Sequence, residues 1–126
     1  MNFIKLHRDI LESQAFCHPV TFKIWCWLLL KANFKDSFML LKTGRGYAEI
    51  KVKRGQMIFG RFKAEEELNI DGSTIYKNLQ KLEQWGNIKI ETTNQCSIIT
   101  IVNYNNYQDS KTKVQRSNNE VTTNKQ

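Results

Sequence analysis

Six side chains between Ser73 and Gln84 have types and spacing suited to recognition chemistry. Ser73, Thr74, Lys77, Gln80, Lys81 and Gln84 can all donate hydrogen bonds, and none is acidic. On a helix turning about 100° per residue, Ser73, Lys77, Gln80 and Gln84 share one side, flanked by Thr74 and Lys81. Ile75, Leu79 and Leu82 form the opposite, core-facing stripe. A face made of donors matches the acceptors of a nucleic acid, its phosphate oxygens and base edges. A face chosen only for solvation ordinarily mixes in Glu, and here Glu83 lies off it.

No other constellation suggests reaction chemistry. KTGRG, residues 42–46, lacks the spacing of a phosphate-binding loop. The two histidines stand outside any recognisable nucleophile arrangement, and Asp9 with Glu12 is an ordinary surface pair. His7, Cys17 and His18 lack a fourth metal ligand and the usual spacing. Three cysteines without a CxxC suggest neither a disulfide framework nor a zinc ribbon. The sequence is therefore expected to be no enzyme and to need no metal or other cofactor.

The net charge is +7, from 19 Lys+Arg against 12 Asp+Glu, which makes a polyanion a plausible partner. The charge is uneven. Residues 61–108 hold fewer basic than acidic side chains, whereas residues 1–60 are strongly basic. The donor face thus sits in the nearly neutral half. No apolar run reaches signal-peptide or membrane-spanning length, so a cytoplasmic protein that makes no membrane contact is expected.

The elements that must position the donor face follow from periodicity and punctuation. A short helical turn is expected around Leu6–Ser13, and Pro19 at a first helical position opens a helix to about Asn33. Val20, Ile24, Trp27 and Leu28 mark one face of that helix, and Trp25, Leu29, Leu30 and Ala32 spread apolar surface around much of the remainder, so it is apolar nearly all round. Phe34–Tyr47 reads as a loop. Ile50 and Val52 alternate with Lys51 and Lys53, a strand with one wet face. Arg54-Gly55 reads as a turn and Gln56–Phe59 as a second short strand, giving a hairpin with a basic outer face. A short helix over Arg61–Leu68 should end at Asn69, which tolerates the left-handed conformation. Asp71 is placed to cap the helix over 72–85, and Gly86 to end it. Asn87–Glu91 and Ser97–Asn103 form a second hairpin around Thr92–Cys96. Residues 109–126 read as a disordered polar tail or linker, leaving one domain over 1–108.

The fold class this predicts is α+β and mostly helical: a winged helix-turn-helix with a C-terminal β-hairpin wing and an extra N-proximal hairpin. In such a fold the second helix of the motif enters the major groove, N-terminal end foremost. Ser73, Thr74 and Lys77 are then the candidates for DNA base contact. Arg61, Lys63, Gln80, Lys81 and Gln84, with Lys51, Lys53 and Arg54 on the first hairpin, are the candidates for the DNA backbone. Lys111, Lys113 and Arg116 add charge in the tail. The wing tip, Thr93, Asn94 and Gln95, has hydroxyl and amide groups but no cation, so it adds no counterion release. Tyr76, at the border of the face, touches either the sugar backbone or the core edge.

Four segments taken together resemble a known family: FIKLHRDILES (3–13), PVTFKIWCWLLLKANFKD (19–36), VKRGQMIFGR (52–61) and STIYKNLQKLEQWGNIKIETTNQCSIITIVNYNNYQ (73–108). They are similar to the N-terminal winged-helix domain of phage and prophage replication-initiation proteins, the replisome organisers or DnaD-like primosome proteins. The resemblance implies binding of double-stranded origin DNA and contact with host helicase-loading proteins. It also implies that residues 109–126 are like the linker that leads to a C-terminal domain in that family. One departure concerns the first motif helix, where a Leu-Ala pair is common and this chain has Ala64 and Glu65. Buried Glu65 would be costly without a partner, so either Phe62 fills the gap or the packing is looser.

Two other functions suit the same elements. One is a protein-interaction or dimerisation module, a possible homodimer through Trp25, Leu29 and Leu30. The other is a phage transcriptional regulator.

Overall fold

The computed structural model describes residues 3–93 and 96–108. Within them the chain is α+β, with four α-helices and two small antiparallel sheets. Helix (45%) outweighs strand (26%) without being a majority, so the expectation of a mostly helical chain is only partly met. Asn94 and Gln95, expected at a wing tip, and the expected tail, 109–126, lie outside the described residues.

Two short 3-10 turns, Arg8–Glu12 and Ala15–Cys17, lead into α1, Pro19–Lys31. Helix α1 buries Thr21, Ile24, Trp25, Leu28 and Leu29. That stripe corrects the expected one: Val20 is exposed and Trp27 half-buried. Of the three residues named for a homodimer, Trp25 and Leu29 are buried and Leu30 is exposed. Ala32 follows as the buried C-cap, ending the helix short of Asn33.

The first hairpin differs from the expected one. Ser37–Thr43, expected from sequence to be loop, is strand β1. It pairs antiparallel with β2, Gly46–Val52, in a separate two-stranded sheet. Strand β3, Gln56–Phe59, does not fold back on β2 but joins β5, Ser97–Ile101, which in turn pairs with β4, Ile88–Thr92. The sheet order is β3-β5-β4. Gly55 makes this reach possible. Its N–H donates to Asn33 O and its carbonyl accepts from Ile101 N, both at 2.8 Å. It adopts φ +83°, and a Cβ there would lie 2.8 Å from Tyr104 Cβ. The hairpin's outer face is also not simply basic. Phe38, Leu40 and Tyr47 are exposed there (63%, 68% and 71%) beside Lys42, Glu49 and Lys51.

Helix α2, Arg61–Leu68, ends at Asn69 in the left-handed conformation, φ 57°, and α3, Gly72–Gln84, follows. Gly86, φ +81°, ends α3, as its sequence position leads one to expect. The short α4, Tyr104–Gln108, closes the described chain. Buried Gln108 accepts from Lys5 N at 2.8 Å and donates to Lys5 O at 3.2 Å, fastening the N-terminal strap to α4. One core joins α1, α2, α3 and the three-stranded sheet, through Ile24, Leu28, Leu68, Ile75, Leu82, Ile88 and Ile99. Among the described residues no helix is long and apolar enough to cross a membrane.

Candidate nucleic-acid interface

Helix α3 is held from three directions, which leaves one face open. Its buried stripe is Ile75, Asn78, Leu79 and Leu82. Asn78 is the polar member, and sequence reasoning does not single it out. The Thr21 hydroxyl on α1 donates to Asn78 Oδ1, and Asn78 Nδ2 donates to Thr74 O at 2.8 Å. This buried relay fixes both the roll of α3 against α1 and the first turn of α3. On the other flank, Glu83 Oε2 accepts the Ile90 N–H at 3.0 Å, tying the helix to β4.

The start of α3 is fixed twice. Asp71 caps it, accepting the Thr74 N–H at 3.2 Å and the Thr74 hydroxyl at 2.8 Å. These hydrogen bonds from Thr74, the hydroxyl first, hold the Asp71 carboxyl below the usual carboxylate range. Glu65 Oε2 accepts the Gly72 N–H at 2.6 Å, and Arg61 Nε lies 3.7 Å from that same oxygen. The Glu65 expected to be costly is therefore half-exposed and satisfied, while Ala64 fills the buried position. Phe62 does not fill the gap; it is 83% exposed. A Cβ on Gly72 would collide with Arg61 Nε, so that guanidinium lies against the N-terminus of α3.

Helix α2 is itself braced. Lys23 Nζ donates to Leu68 O at 2.7 Å, satisfying an orphan carbonyl at the C-terminal end of α2. Trp27 Nε1 donates to Glu67 at 2.9 Å, and Lys31 pairs with the same carboxylate at 2.9 Å. The hydrogen bond from Lys31, then that from Trp27, lowers the Glu67 pKa.

The exposed residues of α3 are Ser73, Tyr76, Lys77, Gln80, Lys81, Glu83 and Gln84, with Tyr76 and Glu83 on the side towards the sheet. Tyr76 and Gln80 line a cleft of about 300 Å³ between α3 and the sheet, with Glu83, Thr92 and Ser97 on its walls. Tyr76 thus stands at the sheet side of the face and is largely exposed. Thr74 differs from the other candidates, because its hydroxyl is committed to the Asp71 cap.

The expected backbone-contact residues divide. Arg61 joins the α3 N-terminus. Lys63 lines a different groove, of about 350 Å³, with Trp27, Lys31, Met39 and Met57. Lys51 and Lys53 are exposed on the hairpin side. Arg54 braces the fold instead. Its Nη1 donates to Phe34 O at 3.2 Å, and its guanidinium lies 5.3 Å from the Tyr104 ring centre. Between β4 and β5, where the wing tip is expected, Thr93 Oγ1 accepts the Cys96 N–H at 3.1 Å and donates to Cys96 O at 3.0 Å.

No family model, curated protein or solved structure matches this chain. Function must therefore be read from the site, since a fold alone does not assign one.

Proposed function

We propose that the chain is a double-stranded DNA-binding module of winged helix-turn-helix type, with α2 and α3 as the motif, β4 and β5 as the wing, and α3 as the reading helix. One observation carries the reading. The solvent-facing side of a firmly anchored helix carries the donors Ser73, Lys77, Gln80, Lys81 and Gln84, with Arg61 at its N-terminus, and the one carboxylate exposed on the helix, Glu83, lies at the border and accepts from Ile90 N. Anchoring matters because base readout needs side chains held in register with the groove.

In this reading Ser73 and Lys77 reach base edges from the first turns of α3, while Gln80, Lys81, Gln84 and Arg61 hold phosphates. Thr74 supports them by fixing the helix start. Low charge on the reading helix suits a module whose contacts specify more than they hold. A role in phage-type replication initiation, with origin DNA and host helicase-loading proteins as partners, is part of the proposal and rests on the resemblance of the four sequence segments. The test is amide chemical-shift mapping with a DNA duplex. Shifts concentrated over residues 72–84 and at Arg61 support the reading, and shifts confined elsewhere overturn it.

A further inference from the structure

The β1–β2 hairpin is a two-stranded sheet whose strands touch the body only sparsely, mainly β2 along β3. A two-stranded sheet alone is marginal in water and leaves an open edge that templates another strand. Its two faces can be read from the register. Met39, Leu41, Ala48 and Ile50 form the apolar middle of one face, and Val52, opposite Ser37, continues it into the body. Phe38 faces Lys51 and Leu40 faces Glu49 on the other. Glu49 and Lys51 therefore lie opposite apolar residues of their own hairpin, and neither has an ion pair among the described residues.

The open edge of β2 has a defined polarity. The pair Thr43–Gly46 closes the two-residue loop Gly44–Arg45, so the even-numbered residues of β2 turn their backbone groups to β1. Tyr47, Glu49 and Lys51 turn theirs away. The next odd residue follows the same parity, with Lys53 N–H reaching out to Gln56 Oε1 at 3.0 Å. Among the described residues, the backbone groups of Tyr47, Glu49 and Lys51 find no partner outside the hairpin.

We propose that this edge pairs with the same edge of a second copy, β2 antiparallel to β2, about a two-fold axis at Ile50. The parity allows few registers, and charge selects among them. With Ile50 opposite itself, Glu49 lies opposite the partner copy's Lys51, and Lys51 opposite the partner copy's Glu49. Slipping by one allowed step puts Glu49 opposite Glu49 in one direction and Lys51 opposite Lys51 in the other. Opposite charges directly across a ladder stabilise and like charges destabilise. The Lys51–Lys51 register would also set Glu49 opposite the partner copy's Lys53, but Lys53 lies beyond β2 with its N–H and carbonyl already bonded to Gln56, so the central register is the one in which every charged pair within β2 is complementary. A two-fold contact is self-complementary by symmetry. The outer edge of β1 offers no such match, because Phe38, Leu40 and Lys42 carry charge of a single sign. The pairing doubles the sheet to four strands and extends its apolar face. This homodimer surface is separate from α3 and does not depend on the DNA-binding reading.

The test is sedimentation equilibrium of the whole chain over a wide concentration range, without DNA, for wild type, Glu49→Lys, Lys51→Glu and the double variant Glu49→Lys/Lys51→Glu. The expected result is a reversible wild-type dimer, at least about tenfold weaker in each single variant and restored in the double variant, where opposite charges again face each other. Restoration separates the contact from a folding defect. A wild-type chain that stays monomeric near millimolar concentration overturns the proposal, as does a dimer indifferent to both single variants.

Discussion

Glu65 Oε2 accepts the N–H of Gly72 at 2.6 Å, so the middle of α2 holds the first residue of α3. The contact spans the turn through Asn69 and sets the angle at which α3 leaves it. Glu65→Ala should lower stability by about 1 kcal/mol, in line with a partly exposed, charge-assisted hydrogen bond. Glu65→Gln keeps an acceptor and should lose less. Thermal unfolding of both, with hydrogen exchange at the Gly72 amide, measures the effect; faster exchange in Glu65→Ala alone is the expected outcome.

The Asp71 cap carries a pH dependence whose sign follows from its lowered pKa. The ionised carboxylate stabilises the fold fully above the ordinary Asp value, about 3.9. That stabilisation is lost as pH falls through the lower, folded value. Asp71→Ala should therefore melt below wild type at neutral pH, with the gap narrowing in acid. Melting curves across that range decide it. A gap that stays constant to the lowest pH would mean the carboxylate charge does not contribute.

The Thr21–Asn78–Thr74 relay is buried, so breaking it leaves a polar group without water. Asn78→Ala should cost about 1–3 kcal/mol, because it orphans the Thr21 hydroxyl and removes a bond to Thr74 O. The double variant Thr21→Val/Asn78→Leu removes both polar groups and should recover part of that loss. Denaturant unfolding of the single and double variants gives the coupling directly.

Gly55 is constrained by both conformation and space. Gly55→Ala must hold a side chain at φ +83° and bring its Cβ within 2.8 Å of Tyr104 Cβ. A loss of about 2 kcal/mol or more is expected. Equilibrium unfolding measures it, and a near-neutral result would mean the link between Asn33 and β5 is looser than its two 2.8 Å hydrogen bonds indicate.

Local signals in the sequence are legible where one residue decides one geometry. Pro19 opens α1, Asn69 turns left-handed, Asp71 caps and Gly86 ends α3, each for a reason visible in the residue type. The face of α3 is legible because a helix repeats its neighbours at short range. Strand pairing is not. Gln56–Phe59 has the same alternation whether it pairs with β2 or with the distant β5, and only the packing of the whole chain decides. Ser37–Thr43 reads as loop because its apolar run lies between Phe34 and the glycines Gly44 and Gly46, with no alternation to mark it. Asn78 hides on the apolar stripe, yet an amide among Ile75, Leu79 and Leu82 is the signal of a buried partner on another helix. The candidate contacts on Lys63 and Arg54 rest on charge alone, which does not say where a side chain points.

The most direct test of the central claim is fluorescence anisotropy of labelled duplex DNA across a salt series, with wild type, Lys77→Ala and Lys81→Ala. Duplex binding should weaken steeply with salt. Lys77→Ala should cost about 1–3 kcal/mol on the preferred sequence. Lys81→Ala should weaken all sequences alike and reduce the log–log salt slope by about 0.9. Absence of duplex binding at low salt, or binding that neither substitution alters, would contradict α3 as the reading helix.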